Sequence, residues 1–325
     1  MRLYAYEDRS GDARFGVLAR GGLLTAAQLE KRGGLGSKRS SVFTYADVGY
    51  QIRHVDDWLH QVGAATQKAL RAGAKVLPVD SRRPRPVLDA PGKIVCVGLN
   101  YGDHVAEGGR GVVPDRPLLF AKFSNAVVGD GDAIVRPPGT RGLDLEVELG
   151  VVIGRRARRV AESNAVGHVA GYVVANDISA RDWQGSPPAL RKGEKGDGQW
   201  LRAKGSDTFL PIGPVFVTPD EVDPAVGLAL RSWRIPAGGG EPVLMQDGNT
   251  SDMLFTVPQL ISYISQQITL EPGDLVITGT PAGVGVFRDP PVFLEPGDRV
   301  RCEIEGIGAV ENAIVDWTND PRSDG

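Results

Sequence analysis

From residue 93 to residue 317 the chain reads as apolar runs of four to eight residues, each closed by a turn signal. The signals include Gly129-Asp130-Gly131-Asp132, Pro137-Pro138-Gly139, Glu271-Pro272-Gly273-Asp274 and Glu295-Pro296-Gly297-Asp298. Glycine opens left-handed backbone conformations and proline presets a turn angle, so such spacing forbids long helices and dictates sheets of short strands. The 43 glycines and 23 prolines show no collagen-like period, which leaves turns as their use. One stretch, 257–267, reads as a helix. Two of the turns share Glu-Pro-Gly-Asp, but nothing recurs at a fixed period, which excludes solenoids and propellers.

Residues 1 to about 80 read differently, as a small α+β unit. Short strands fall near 3–6 and 15–18, and Val48, Ile52, Val55, Leu59 and Val62 step by 4, 3, 4 and 3, which predicts one helix with an apolar face. The segment Ser81-Arg82-Arg83-Pro84-Arg85-Pro86-Val87 lacks periodicity and precedes a sharp strand at 94–99. The expected organisation is therefore an N-terminal α+β unit with linker over 1–85 and a mainly β unit with some α over 86–325. A chain of 325 residues exceeds the ~250–300 at which single cores stop growing.

Composition narrows the partners. Lys+Arg 37 against Asp+Glu 40 gives a net charge of -3, with no basic excess to neutralise a phosphate backbone, so nucleic acid is not expected. Arg155, Arg156, Arg158 and Arg159 read as a solvated turn after an apolar strand. No run approaches the ~18 apolar residues of a membrane span. Cys96 and Cys302 lie far apart in apolar segments, and the first residues lack an apolar signal core; both point to a reducing, cytoplasmic setting.

The chemistry begins at Asp144-Leu145-Glu146-Val147-Glu148-Leu149. On a strand this alternation sends Asp144, Glu146 and Glu148 to one face, where three carboxylates repel unless a cation sits between them. A solvent-facing sheet surface would also tolerate them. The segment, however, runs into Gly150-Val151-Val152-Ile153, a buried-looking strand. A second strand, near 171–175, ends in Asn176-Asp177, followed by Ser179 as expected helix cap, and Asp177 can complete a three-carboxylate oxygen site with Glu146 and Glu148. Oxygen-only ligation suits Mg2+, Mn2+ or Ca2+. The four histidines, at 54, 60, 104 and 168, form no zinc pattern.

After the strand at 94–99, His104 and Glu107 are three residues apart on a helical turn. They are either a chance surface pair or a general base whose tautomer the carboxylate fixes. Gly108, Gly109 and Gly111 flank them and suit a lid. Lys204 is either a loop lysine or a charge that stabilises an enolate oxygen. The turn 278–285, with Gly279 and Thr280, is either structural or presents N–H groups and a hydroxyl to an anion.

In this order the segments resemble the fumarylacetoacetate hydrolase family over roughly 93–315. The likeness rests on Gly98-Leu99-Asn100-Tyr101 with His104 and Glu107, Asp144 to Leu149, Asn176 to Asp182, Ala203 to Phe209, Gln246 to Thr250, and Thr278-Gly279-Thr280-Pro281. It implies a mixed β-sandwich roll, a homodimer, and Mg2+ or Mn2+ held at Glu146, Glu148 and Asp177. It also implies a lid base at His104 and Glu107, and Arg181, Gln184, Lys204 and Thr280 on the oxygens of a 2-oxo acid substrate. The loop between Gln184 and Trp200, and residues 233–241, look longer than in compact relatives.

These features make the chain an enzyme in expectation. The first reading is a metal-dependent hydrolase that cleaves a C–C bond of a 2,4-dioxo acid, with His104 activating water, Lys204 sharing the developing charge, and a 2-oxo acid enolate leaving. The alternatives are a decarboxylase or enol–keto isomerase of a related 2-oxo dicarboxylate, of the 5-carboxymethyl-2-hydroxymuconate or the oxaloacetate type, or a metal-stabilised scaffold without catalysis.

Overall fold

A computed structural model describes residues 1–35, 47–55, 57–109, 113–190, 192, 194, 196 and 198–323. The principal strands are β1 (Arg2–Glu7), β2 (Ala13–Ala19), β3 (Gly22–Leu24), β4 (Ile94–Gly98), β5 (Leu118–Lys122), β6 (Ala133–Arg136) and β7 (Val147–Ile153). They continue as β8 (Val169–Asn176), β9 (Val215–Val217), β10 (Ala229–Ile235), β11 (Val243–Asn249), β12 (Leu275–Ile277), β13 (Arg299–Ile304) and β14 (Gly308–Asp316). The helices used below are α1 (Val48–His54), α2 (Trp58–Arg71), α3 (Gly102–Glu107), α4 (Arg181–Gln184), α5 (Trp200–Gly205) and α6 (Val257–Gln267).

The turn-punctuated strands pair into two mixed sheets. The larger runs β3-β2-β1-β9-β8-β7-β12-β4-β5 and the smaller β11-β10-β13-β14-β6. Alternation along β7 explains how they stack. Val147, Leu149, Val151 and Ile153 join Leu230, Cys302, Ile304 and residues of α6 in one core between the sheets. Glu148 therefore lies on the opposite face, outside that apolar layer.

Register then gathers the chemistry at one end of the larger sheet. β7 is antiparallel to β8 and to β12, with Val147 opposite Asn176 and Gly150 opposite Ile277. β12 is parallel to β4. The start of β7 thus meets the ends of β8, β12 and β4, and the segments at 144–148, 177, 278–280 and 99–107 converge.

Helix α6 spans the expected residues; Thr256 and Gln259 form a capping box at its start. The expected single helix over 48–62 is instead two. Val55 ends α1 in extended backbone, and Asp57 has φ +51, which a continuing helix cannot adopt. Ser179 is not a helix cap: it sits in the short strand Ser179–Ala180, and Ala180 precedes α4. Its hydroxyl donates to the Asp177 carbonyl at 2.9 Å. The N-terminal strands extend the larger sheet through β1 and β9, and Leu3, Phe15 and Trp58 share a core with Ile94, Val173 and Leu275.

Candidate active site

At the converging end the backbone is tied before any side chain acts. The Asp177 N–H donates to the Glu146 carbonyl at 2.8 Å, and the Glu146 N–H donates to Asn176 Oδ1 at 3.0 Å. Glu146, Glu148 and Asp177 are buried, and one carboxylate oxygen from each lies within 4.8 Å of the others. Asp144, which the alternation placed on the same face, has another task. Its oxygens accept from Arg181 Nε at 2.9 Å and from the Gly285 and Val286 N–H groups at 2.8 and 3.0 Å.

Three buried cations answer these acids. Lys204 Nζ on α5 lies 2.8 Å from both Glu146 Oε2 and Asp177 Oδ2. An Arg181 Nη atom reaches Glu146 Oε1 at 2.6 Å, and Lys122 Nζ reaches Asp177 Oδ1 at 2.7 Å. Burial alone raises the Glu146 carboxyl, but Lys204 and Arg181 together hold it well below the usual range. Burial lowers the Lys204 ammonium, yet Asp177 and Glu146 more than offset this and keep it charged.

Glu148 is the exception. Its Oε2 accepts the Gly279 N–H at 2.7 Å, and no cation of the described residues lies within ion-pair distance of it. Burial first, and then the charges of Asp177 and Glu146, push its carboxyl well above the ordinary 4.5. When Glu148 ionises, four buried acids (144, 146, 148, 177) face three buried cations (122, 181, 204), and the excess charge is negative. A hard divalent cation suits this all-oxygen set and favours the ionised form of Glu148.

The sign of the shift gives a pH prediction. A carboxyl raised by folding contributes stability below its unfolded value of 4.5, and that contribution disappears as pH rises through the folded value. The melting temperature of chelator-treated protein should therefore fall with rising pH above 4.5 on this account. The upshift caused by Mg2+ or Mn2+ should grow over the same range. Calorimetry at matched ionic strength reads both; an upshift that shrinks with pH contradicts the assignment.

Lys122 ends β5 and carried no mark in the sequence, where it is one lysine after an apolar run. Besides Asp177 it donates to the carbonyls of Ile178, Lys204 and Phe209, so it clamps the segments behind the acids. Replacing it with methionine strands a buried carboxylate and should cost about 3–5 kcal/mol in urea unfolding. A cost below about 1 kcal/mol would show that the pair is not structural.

The opposite wall is α3 and the turn after β12. His104 Nδ1 lies 2.7 Å from Glu107 Oε1; a carboxylate only accepts, so Nδ1 carries the proton and Nε2 is the basic nitrogen. Glu107 Oε2 accepts the Gly283 N–H at 2.8 Å, which docks α3 onto the turn. Gly283 has φ +107, and a Cβ there would meet the Met245 carbonyl oxygen at 2.1 Å, so only glycine fits. The turn presents N–H groups to anions, but to the protein's own: Gly279 to Glu148, Gly283 to Glu107 and Gly285 to Asp144. The Gly279 N–H is therefore committed to a carboxylate rather than to substrate.

Thr280 donates to the Val147 carbonyl at 2.9 Å and accepts from Gln246, which also receives the Val147 N–H at 2.9 Å. Asn100 spans the Thr278 and Phe255 carbonyls at 2.7 and 3.0 Å. Gln246 and Asn100 were visible only as motif letters; their work as braces needs contacts between segments 34 to 178 residues apart. A pocket of about 600 Å³ opens onto His104, Glu146, Glu148, Gln184, Lys204 and Thr280, with Glu107 and Arg181 also in its wall. Asp177 and Gly279 lie behind it. Gly108 and Gly109 border it as well, whereas Gly111 lies outside the described residues, as do residues 191, 193, 195 and 197 of the long loop. Among the described residues no helix is long and apolar enough to cross a membrane.

The fumarylacetoacetate (FAA) hydrolase C-terminal family model matches residues 93–315. The chain is 46% identical over 262 residues to "Oxaloacetate tautomerase FAHD2B, mitochondrial" of Bos taurus, covering 80% of this chain and 79% of that one. Among solved structures it resembles a fumarylacetoacetate hydrolase from Exiguobacterium antarcticum at TM-score 0.74 and 33% identity, covering 97% and 99% of the two chains. It also resembles a 5-carboxymethyl-2-hydroxymuconate delta-isomerase from Mycobacterium smegmatis at TM-score 0.67 and 30% identity, covering 97% and 100%. The braced acids, the His104–Glu107 pair and a family match over most of the length have one reading: the chain is an enzyme of the fumarylacetoacetate hydrolase family.

Proposed function

We propose that the protein interconverts the enol and keto forms of a 2-oxo dicarboxylate of the oxaloacetate type. The observation that carries this is one basic nitrogen, His104 Nε2, in a pocket also lined by Glu146, Glu148 and protonated Lys204, with Asp177 behind them. Tautomerisation needs no more: one proton moves between carbon and oxygen while charge on the oxygen is stabilised. The tautomerase and isomerase names of the relatives support the same choice.

A divalent cation at Glu146, Glu148 and Asp177 supplies Lewis-acid stabilisation to the 2-oxo oxygen when bound. His104 Nε2 takes a proton from C3. The C3–H electron pair becomes the C2–C3 double bond, and the 2-oxo oxygen gains the charge and then the proton that His104 Nε2 carries, which returns the imidazole to its neutral form. Lys204 and Gln184 orient the oxygens of the acid from the pocket wall, while Thr280, whose hydroxyl is held by Val147 and Gln246, shapes that wall without donating to substrate. Glu107 holds the imidazole in one tautomer throughout.

The second reading, hydrolysis of a C–C bond in an acylpyruvate, is favoured by the same dyad, which suits activation of water, and by a pocket roomier than a four-carbon acid needs. Following enol absorbance of oxaloacetate with Mg2+ or Mn2+, together with pyruvate release, separates the outcomes. Accelerated enol decay without extra pyruvate supports tautomerisation. Decay no faster than in metal-containing buffer rejects it, and cleavage of acylpyruvates alone would install the hydrolase reading.

A homodimer belongs to the proposal, and light scattering after size exclusion reads it. Cys96 and Cys302 are free buried thiols, which suits a reducing interior, the cytosol or, as in the bovine relative's name, the mitochondrion.

A further inference from the structure

Three cations border the pocket: Arg181, Lys204 and Arg288. The first two are consumed by Asp144, Glu146 and Asp177. Arg288 is not. Its Nε donates to the Gly283 carbonyl at 3.4 Å, and one Nη donates to the Leu244 and Met245 carbonyls at 3.1 and 2.6 Å. Among the described residues the other Nη has no partner, and no carboxylate pairs with this guanidinium.

Three neutral carbonyls fix the fork in place without cancelling its charge, which is the state an anion-reading arginine requires. Its position is also apt. Arg288 follows Phe287, whose ring centroid lies 6.0 Å from that of His104, and it holds the carbonyl of the same Gly283 whose N–H holds Glu107. The guanidinium therefore stands beside the turn that docks the catalytic base, on the wall of the pocket whose acidic end carries Glu146 and Glu148. A 2-oxo acid whose 2-oxo and first carboxylate groups face that acidic end extends its far end toward the base.

We infer that Arg288 binds the distal carboxylate of the substrate and selects 2-oxo dicarboxylates over 2-oxo monocarboxylates. This rests on the 2-oxo dicarboxylate reading above and names the residue that would enforce it.

The test is calorimetric binding to the Mg2+-loaded protein of two matched pairs: oxaloacetate against 2-oxobutanoate, and 2-oxoglutarate against 2-oxopentanoate. Within each pair the ligands differ in the distal carboxylate. Wild-type protein should prefer the dicarboxylate, and R288M should collapse the ratio of dissociation constants by about 10–100-fold. R288K, which keeps a charge but loses the fork, should fall between. Equal weakening of both members of a pair would mean that Arg288 only supports the Gly283 turn, and would overturn the inference, as would a wild type without preference. An Arg288-dependent preference in a protein that does not tautomerise oxaloacetate would keep the inference and reject the proposed reaction.

Discussion

His104→Ala lowers kcat for enol–keto interconversion of oxaloacetate by about 10²–10⁴-fold and leaves KM within a few-fold. The size follows from the chemistry. His104 holds a basic nitrogen in the pocket, and its loss removes the proton carrier without touching the acids suited to a metal. Glu107→Gln should cost less in rate, because an amide oxygen can still accept from Nδ1 and hold the ring in place. It also loosens the Gly283 N–H bond that docks α3. Stopped-flow enol absorbance on both variants is the measurement. Unchanged turnover in His104→Ala would remove the acid–base assignment and the proposed reaction with it.

Glu148→Gln is the second large effect, and it separates metal binding from folding. The variant loses a ligand whose carboxyl is raised by burial and by two neighbouring acids. Affinity for Mg2+ or Mn2+ should fall beyond the 10–100-fold that losing an outer-shell partner typically costs, to more than about 100-fold. The metal-free fold should not suffer. Glutamine matches the shape, keeps an acceptor for the Gly279 N–H, and removes the cost of ionising a buried acid as pH rises. Chelator-treated variant should thus melt at or above wild type at pH 8, without an upshift on adding metal. A variant that still gains melting temperature with metal would show that Glu148 is not a ligand.

The two predictions draw on features of different legibility. The acids at 146 and 148 could be read from alternation, and His104 with Glu107 from a three-residue spacing, because both patterns are local. The grouping of Asp177 with Glu146 and Glu148 was also open to inference, since a strand ending in an acid is visible as such. Which acid stays out of that group was not. Asp144 has the same spacing as its neighbours, and Arg181 meets both it and Glu146; only the N–H groups of Gly285 and Val286, far along the chain, draw Asp144 out of the cluster. The N–H groups of the 278–285 turn were likewise readable as anion donors, but not that their anions would be the protein's own.

By itself the sequence determined the short-strand architecture, the α6 helix, the His104–Glu107 pair and the family. Each depends on period, turn chemistry or a short motif, which act over a few residues. The tertiary structure alone decided the break between α1 and α2, the clamp at Lys122, the braces at Asn100 and Gln246, and the unpaired charge of Arg288. All of these depend on sheet register and on contacts between segments far apart in the chain. Burial then sets their energies: a carboxyl beside two like charges is driven up while its neighbour beside Lys204 and Arg181 is driven down, and no local pattern distinguishes them.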